Sequence, residues 1–448
     1  MKRLIVIAAL FVLLMEAAHA ENLLQVYERA IDHDARLREA ATSLKAIREV
    51  RPQAVARLLP SLSLKGEMYR NSVRSSFQGM PGGIGSNPLV FFAGGLNVDF
   101  WNSAASINLL QPVYHHDYWV QLAIADKQIA EAEAHFAAEQ QSLIQRTAEA
   151  YFGILYGQDE LASIEAELQA LTRQLDMARA RFDAGLNSIT DVREAEAAFH
   201  QVRTRKIRAE NQLQNMAANL ELITGKAPGP LSKMGSKLLL NPPQPASMDD
   251  WISHARESNL ALVAATSHRD ALKERINQQF AGHYPRIDLI GSAGFTDNDR
   301  PYGISTEYQA IGMQMTVPVL EGGGVNARVR QARYEYEAAE EHLDGLRRSV
   351  TRDVGEAYRG VLSAISEIEA LEATLKATDS ALEAAQIGLE VGNRTMVDVL
   401  SEQAHSFQAR RDHARARYDY VLSHFKLKWA SGLLTAADLL SLNQGLEP

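Results

Sequence analysis

Apolar positions recur along this chain at two different periods, and the switch between them divides it into elements. From Leu161 to Phe182 they fall at Leu161, Ile164, Leu168, Leu171, Leu175, Ala178 and Phe182, in alternating steps of three and four residues. Such spacing is the seam of a coiled coil. Ile368, Leu371, Leu375, Thr378, Leu382, Ala385 and Leu389 repeat it, each 207 residues further on. Strong helix formers surround the first seam, and no proline occurs between Pro112 and Pro228. The pattern predicts a helix from about Asp117 to Ala184, which at about 1.5 Å per residue rises roughly 100 Å. Elsewhere the period is two. Leu62, Leu64 and Met68 alternate with Ser61, Ser63, Lys65 and Glu67, and Ile107 and Leu109 alternate with Ser106 and Asn108. Ile287, Leu289, Ala293 and Phe295 form a third such series, and Ile311, Met313, Met315 and Val317 a fourth. These predict strands of about ten residues, each with one apolar and one polar face.

Both seams end in the same way, in "RFDAGLNSITDV" (181–192) and "GLEVGNRTMVDV" (388–399). Gly185 and Gly392 suit the left-handed position just past a helix end. Ser188 and Thr395 are N-cap residues with Asp191 and Asp398 three positions later, a capping box with Asp in place of Glu. Each motif therefore predicts the tip of an antiparallel helical hairpin. The offset of 207 also relates Tyr151 to Tyr358 and Gly225 to Gly432. Nearer the N-terminus it is 225, from Ala30 to Ala255 and from Pro60 to Pro285, and it falls to 206 between Pro112 and Pro318. One duplication explains these offsets, with a single insertion of 19 residues in the first copy, expected as an external loop over 76–95. The predicted organisation is a first repeat over 21–228, a Pro- and Gly-rich junction over 229–247 and a second repeat over 248–448. Tyr151 and Tyr358 are expected to pack between helices.

Composition narrows the class. Residues 1–20 have two basic residues, an apolar stretch from Leu4 to Met15 and small residues at Ala18 and Ala20, the form of a secretory signal cleaved before Glu21. Its core is too short to span a bilayer as a helix, and no other stretch approaches the length needed. Loss of Lys2, Arg3 and Glu16 changes the formal charge from −9 to −10, which argues against nucleic acid as a partner. Cysteine is absent, so there is no disulfide framework, thiolate metal site or lipid-anchor cysteine. No Ser-His-Asp order, metal-ligand spacing or paired-carboxylate cleft emerges, so neither an enzyme nor a cofactor is expected. His115 and His116 are adjacent and do not share a helix face; they are expected at a hydrated strand–helix joint rather than on a metal. Four strands cannot close a transmembrane barrel, for which about eight is the minimum. A barrel built from them must be shared among protomers on a cyclic axis. The other function class is a non-conducting periplasmic coiled-coil scaffold or adaptor, soluble without detergent.

From "ENLLQVYERA" through "LLPSLSL", "RFDAGLNSITDV", "LELITG", "YPRIDL", "VPVLEGGG" and "VGNRTMVDVL" to "ARYDYVLSHFKLKWASGLL", the chain resembles the TolC family of outer-membrane efflux and secretion channels. The resemblance implies a mixed α and β membrane protein: a homotrimer with a 12-stranded β-barrel, four strands per protomer, continuing into a periplasmic α-helical barrel whose tapered tip is the closed entrance. It implies a mixed equatorial region near the repeat junction. It further implies that Asp398 forms the narrowest ring, where multivalent cations would block, and that the place of a second acidic ring is taken by Ser401. Arg394 matches an arginine linked to the neighbouring tip, with Thr190 and Asp191 as matching partners and Gln174 as a further polar gate residue. A gate tyrosine is replaced by Leu389, and Arg394's first-copy equivalent is Asn187. The implied partners are a periplasmic adaptor, an inner-membrane transporter of the RND or ABC kind, and outer-membrane lipid.

Overall fold

The computed structural model describes residues 20–75, 96–186, 188–235, 239–299, 305–443 and 446–447. The signal segment up to residue 19, the inserted loop over 76–95 and Asn187 lie outside the described residues. The order of elements is α1 (Leu23–His33), α2 (Ala35–Arg48), α3 (Val50–Ala56), β1 (Ser61–Ser75), β2 (Leu96–Tyr114), α4 (His116–Asp183), α5 (Ile189–Thr224) and β3 (Lys233–Met234). It continues with α6 (Met248–Ser258), α7 (Leu260–Phe280), a 3₁₀ turn (Ala281–His283), β4 (Arg286–Asn298), β5 (Thr306–Thr316), α8 (Gly324–Glu390), α9 (Met396–Ala430), α10 (Ala436–Asn443) and β6 (Leu446–Glu447). The chain forms two compact units, one from 1–45, 130–266 and 341–448, the other from 46–129 and 267–340.

The second of these units holds one antiparallel sheet in the order β1-β2-β4-β5. Its register puts the alternating apolar residues of all four strands on one face. Leu62 pairs with Leu109, Leu109 with Gly291 and Gly291 with Ile311; two positions along, Leu64 pairs with Ile107 and Ile107 with Ala293. The opposite face carries Ser63, Asn108, Ser292 and Ala310 in one row. The strands have 15, 19, 13 and 11 residues, longer than the expected ten. Backbone pairing of β1 with β2 runs on to Ser75 and Leu96, beyond the stretch in which apolar residues alternate. Pro112 and Pro318 are equivalent in sequence but not in structure. Pro112 lies inside β2, beside a register shift in the pairing with β4, whereas β5 stops at Thr316. Proline has no N–H to donate, and Pro112 lies past Leu110, where pairing with β1 ends, and next to the irregularity toward β4. His115 corrects the expectation of a hydrated joint. It is buried, its Nε2 lies 2.9 Å from Asp288 Oδ1, and its ring stacks on Tyr118. His116 meets Tyr284 edge-on.

In the first unit, Leu23, Tyr151, Leu220, Trp251, Val354 and Phe425 belong to one apolar core that α1, α4, α5, α6, α8 and α9 share. Tyr151 does more than pack between helices. Its hydroxyl donates to the carbonyls of Ser232 (2.8 Å) and Glu21 (3.2 Å), and burial pushes its pKa up. Tyr358 likewise donates to the carbonyl of Ala246. Both tyrosines thus tie non-helical segments to the helices. The duplication is also visible in the packing: a Cβ on Gly225 would meet His33, and one on Gly432 would meet Ser258, the residue 225 positions after His33.

Candidate functional site: the tips of the two hairpins

Helices α4 and α5 form the first hairpin of the first unit, and α8 and α9 the second. In each, the glycine after the long helix takes a positive φ, 71° at Gly185 and 79° at Gly392. The chain then folds back on the helix end. Leu186 N–H donates to Arg181 O and Asn393 N–H to Gly388 O, both at 2.8 Å, the six-to-one bond of a Schellman turn. The returning helices start with reciprocal caps. Asp191 Oδ2 accepts from Ser188 N–H at 3.3 Å, while Ser188 Oγ accepts from Thr190 N–H at 3.1 Å. Asp398 Oδ2 accepts from the N–H (2.8 Å) and hydroxyl (2.9 Å) of Thr395, whose Oγ1 accepts from Asp398 N–H at 3.2 Å. The Asp-Val pair common to both tips is therefore a cap followed by a packing residue, since Val192 and Val399 are buried.

The caps set the electrostatics. Hydrogen bonds from the backbone and the hydroxyl of Thr395, with a smaller contribution from Arg394, hold the Asp398 carboxyl below the usual carboxylate range. Arg394 Nη1 lies 4.0 Å from Asp398 Oδ1. Within one chain, then, Arg394 faces its own helix start, and Thr190 and Asp191 are engaged with Ser188; Ser188 Oγ is 3.1 Å from Thr190 Oγ1. Gln174 is buried, and its Oε1 has no partner among the described residues. Leu389 packs against the cluster of Leu175, Ala178, Val192, Ala195 and Met396, so an apolar contact stands where a hydroxyl was implied. Ser401 is exposed beside Leu171, Val397 and Ala404 in a cleft of about 360 Å³.

Sequence reasoning missed one cluster. Glu167 of α4, 2% exposed at its side chain, receives Arg205 of α5 (Nη2 to Oε1, 2.9 Å) and Arg411 of α9 (Nη1 to Oε2, 2.8 Å). Arg411 is itself 7% exposed and also donates to Gln408 at 2.9 Å. This triad ties the first hairpin to the second. Removing one member of a buried pair costs about 3–5 kcal/mol, whereas an exposed pair such as Arg394–Asp398 is screened by solvent and contributes far less. The only signal in the sequence was an acidic residue beside a heptad position.

On the sheet, Leu62, Leu64, Ile311, Met313 and Met315 are all more than 60% exposed. Trp101 and Tyr114 lie at the two ends of the apolar face of β2. At a rise of about 3.3 Å per residue, strands tilted about 40° in a barrel would set them roughly 30 Å apart along its axis, enough to flank an apolar band of about 25 Å.

Comparison with known proteins agrees with this arrangement. The family described as outer membrane efflux protein matches residues 26–226 and 251–433. The chain is 33% identical to outer membrane protein TolC of Vibrio cholerae over 439 residues, covering 97% of this chain and 96% of that protein. It is 32% identical to outer membrane protein TolC of Escherichia coli (96% and 86% covered) and 26% identical to the alkaline protease secretion protein AprF of Pseudomonas aeruginosa (96% and 88%). Among solved structures, the Campylobacter jejuni CmeC outer membrane channel superposes with a TM-score of 0.79 at 13% identity, over 95% of this chain and 90% of that one. Matched over both of its repeats, and carrying in one unit a sheet with one exposed apolar face and in the other a pair of helical hairpins, the chain belongs to the outer membrane efflux protein family of export channels that sit in the outer membrane and extend into the periplasm.

Proposed function

We propose that three copies of this chain, cleaved before Glu21, close a 12-stranded barrel in the outer membrane and continue as a periplasmic helical tunnel, the exit duct for efflux and type I secretion. One observation carries the reading. The four strands present a continuous apolar face, and among the described residues β1 and β5 each pair on one side only. In hydrocarbon every backbone polar group needs a partner, so an open edge is excluded and neighbouring protomers supply the missing strands. The repeats 21–228 and 248–448 then each contribute two strands and one hairpin, with 229–247 as the equatorial junction. The second hairpin forms the entrance. Asp398 provides its narrowest ring, favouring cations and offering a site of multivalent block, and Arg394 links to Thr190 and Asp191 of the adjoining tip, with Gln174 beside them. The names of the relatives, alkaline protease secretion and outer-membrane efflux, support both kinds of cargo. A periplasmic adaptor and an inner-membrane transporter of the RND or ABC kind would choose between them.

Arginine scanning of the sheet tests this. Ile107→Arg or Ile311→Arg, on the apolar face about midway between Trp101 and Tyr114, should cost about 2–4 kcal/mol and lower the yield of detergent-extracted, bilayer-active trimer, while Asn108→Arg on the other face should be tolerated. Equal yields from all three, or a parent chain that stays soluble without detergent and does not conduct, would refute the barrel.

A further inference from the structure

Gly388 stands in the last turn of α8, where a glycine weakens the helix relative to alanine. The duplication supplies an internal control. The residue 207 positions earlier is Arg181, and it closes the same turn, with its carbonyl accepting the same backbone bond at 2.8 Å. The turn therefore does not require glycine. What differs is the space above the residue. A Cβ on Gly388 would lie 2.5 Å from Arg394 Cγ, 3.2 Å from its Cβ and 3.9 Å from its Cδ. The Arg394 backbone cannot withdraw, because its N–H donates to Gly388 O at 3.1 Å. Rotation about χ1 is the side-chain motion that would relieve the contact at Cγ, and it would move the guanidinium from its present place 4.0 Å from Asp398 Oδ1. In the first copy the residue equivalent to Arg394 is Asn187, which has no long stem to seat.

We propose that Gly388 is a positioning residue of the gate: its missing side chain is the seat on which the Arg394 stem lies, and this selects the rotamer from which the guanidinium reaches its carboxylate partners. The proposal rests on the reading of Arg394 as a gate residue. Gly345 and Gly360 lie in the same helix and a Cβ on either meets nothing within 4 Å, so they are matched controls.

The test compares Gly388→Ala, Gly360→Ala, Arg394→Ala and the Gly388→Ala/Arg394→Ala double variant as full-length trimers, by melting in detergent and by single-channel recording. Alanine should leave the melting temperature unchanged or raise it at both glycines. Closed-state conductance should rise severalfold in Gly388→Ala, to the level of Arg394→Ala, stay at the parent value in Gly360→Ala, and rise no further in the double variant. If Arg394→Ala leaks while Gly388→Ala remains tight, the seat is wrong and the gate stands. If Arg394→Ala is as tight as the parent, the gate reading fails and takes the seat with it. A lower melting temperature for Gly388→Ala, or additive leaks in the double variant, would mark a damaged turn rather than a displaced arginine and would overturn the proposal.

Discussion

The two hairpins share a turn and differ in what surrounds them. Along α4 the seam residues Ile164, Leu171 and Leu175 are buried where their α8 counterparts Leu371, Thr378 and Leu382 are only half-buried; Ala178 and Ala385 are buried in both, and Leu161 is half-buried where Ile368 is buried. The first hairpin carries the buried Glu167, and the equivalent residue in the second is Thr374, which is exposed. At the tips the contrast inverts. Met396 is buried against the first hairpin's cluster, whereas its counterpart Ile189 is 47% exposed. Duplication gave both copies one backbone, and divergence of side chains made the first an anchored element. The second shares the apolar core through Val354 and Phe425 and meets the first through the triad, while the Arg394–Asp398 pair at its tip is exposed.

The largest expected effect addresses the anchor. Glu167→Gln leaves the Arg411 guanidinium buried without its counter-charge and should cost about 3–5 kcal/mol, seen as a lower midpoint of unfolding in detergent. Thr374→Gln, at the matching exposed site, should fall within about 0.5 kcal/mol of the parent. Equal losses would break the comparison between hairpins. Arg394→Ser should raise single-channel conductance and admit bulky antibiotics to cells, and Asp191→Ala should do the same, with little added by combining them if they are two ends of one link. Asp191→Ala also removes the carboxylate that accepts from Ser188 N–H, one bond of the capping box, a loss that would appear in melting and not in conductance. Summed conductance gains in the double variant would instead assign Arg394 to adaptor docking. The smallest effect is on pH. Because its bonds to Thr395 depress the Asp398 carboxyl, the proposed ring would keep its charge until pH falls through that lowered value. Thr395→Val removes the hydroxyl and should move the loss of cation preference upward, toward the ordinary aspartate value of about 3.9. Reversal potentials in asymmetric salt, followed from neutral to acidic pH, would read it, and superimposable titrations would show that the hydroxyl does not hold the carboxylate.

The tips were legible in the sequence because capping is local: Ser188 with Asp191, and Thr395 with Asp398, lie within one turn of each other. The apolar face of the sheet was legible because the period of two survives any register that keeps that face together. Strand ends were not, since pairing continues through Arg70–Ser75, past the alternating apolar stretch, where Arg70 also reaches Asp99 across the strands at 3.5 Å. Nor was the triad, whose members lie 38 and 244 residues apart and whose acid looks like any solvated glutamate beside a seam. Gly388 reads as an ordinary helix-end glycine until the arginine above it is placed.

In the proposed trimer, the two sheet edges that stand unpaired among the described residues also carry a genetic consequence. A chain whose β5 cannot pair does not simply fail by itself, because its intact β1 edge can still capture a healthy neighbour and leave the ring unclosed. Expressed beside an equal amount of normal chain, such a variant leaves about one in eight three-fold assemblies free of it, so a lesion on one edge strand would behave as a dominant defect while a null allele would be recessive.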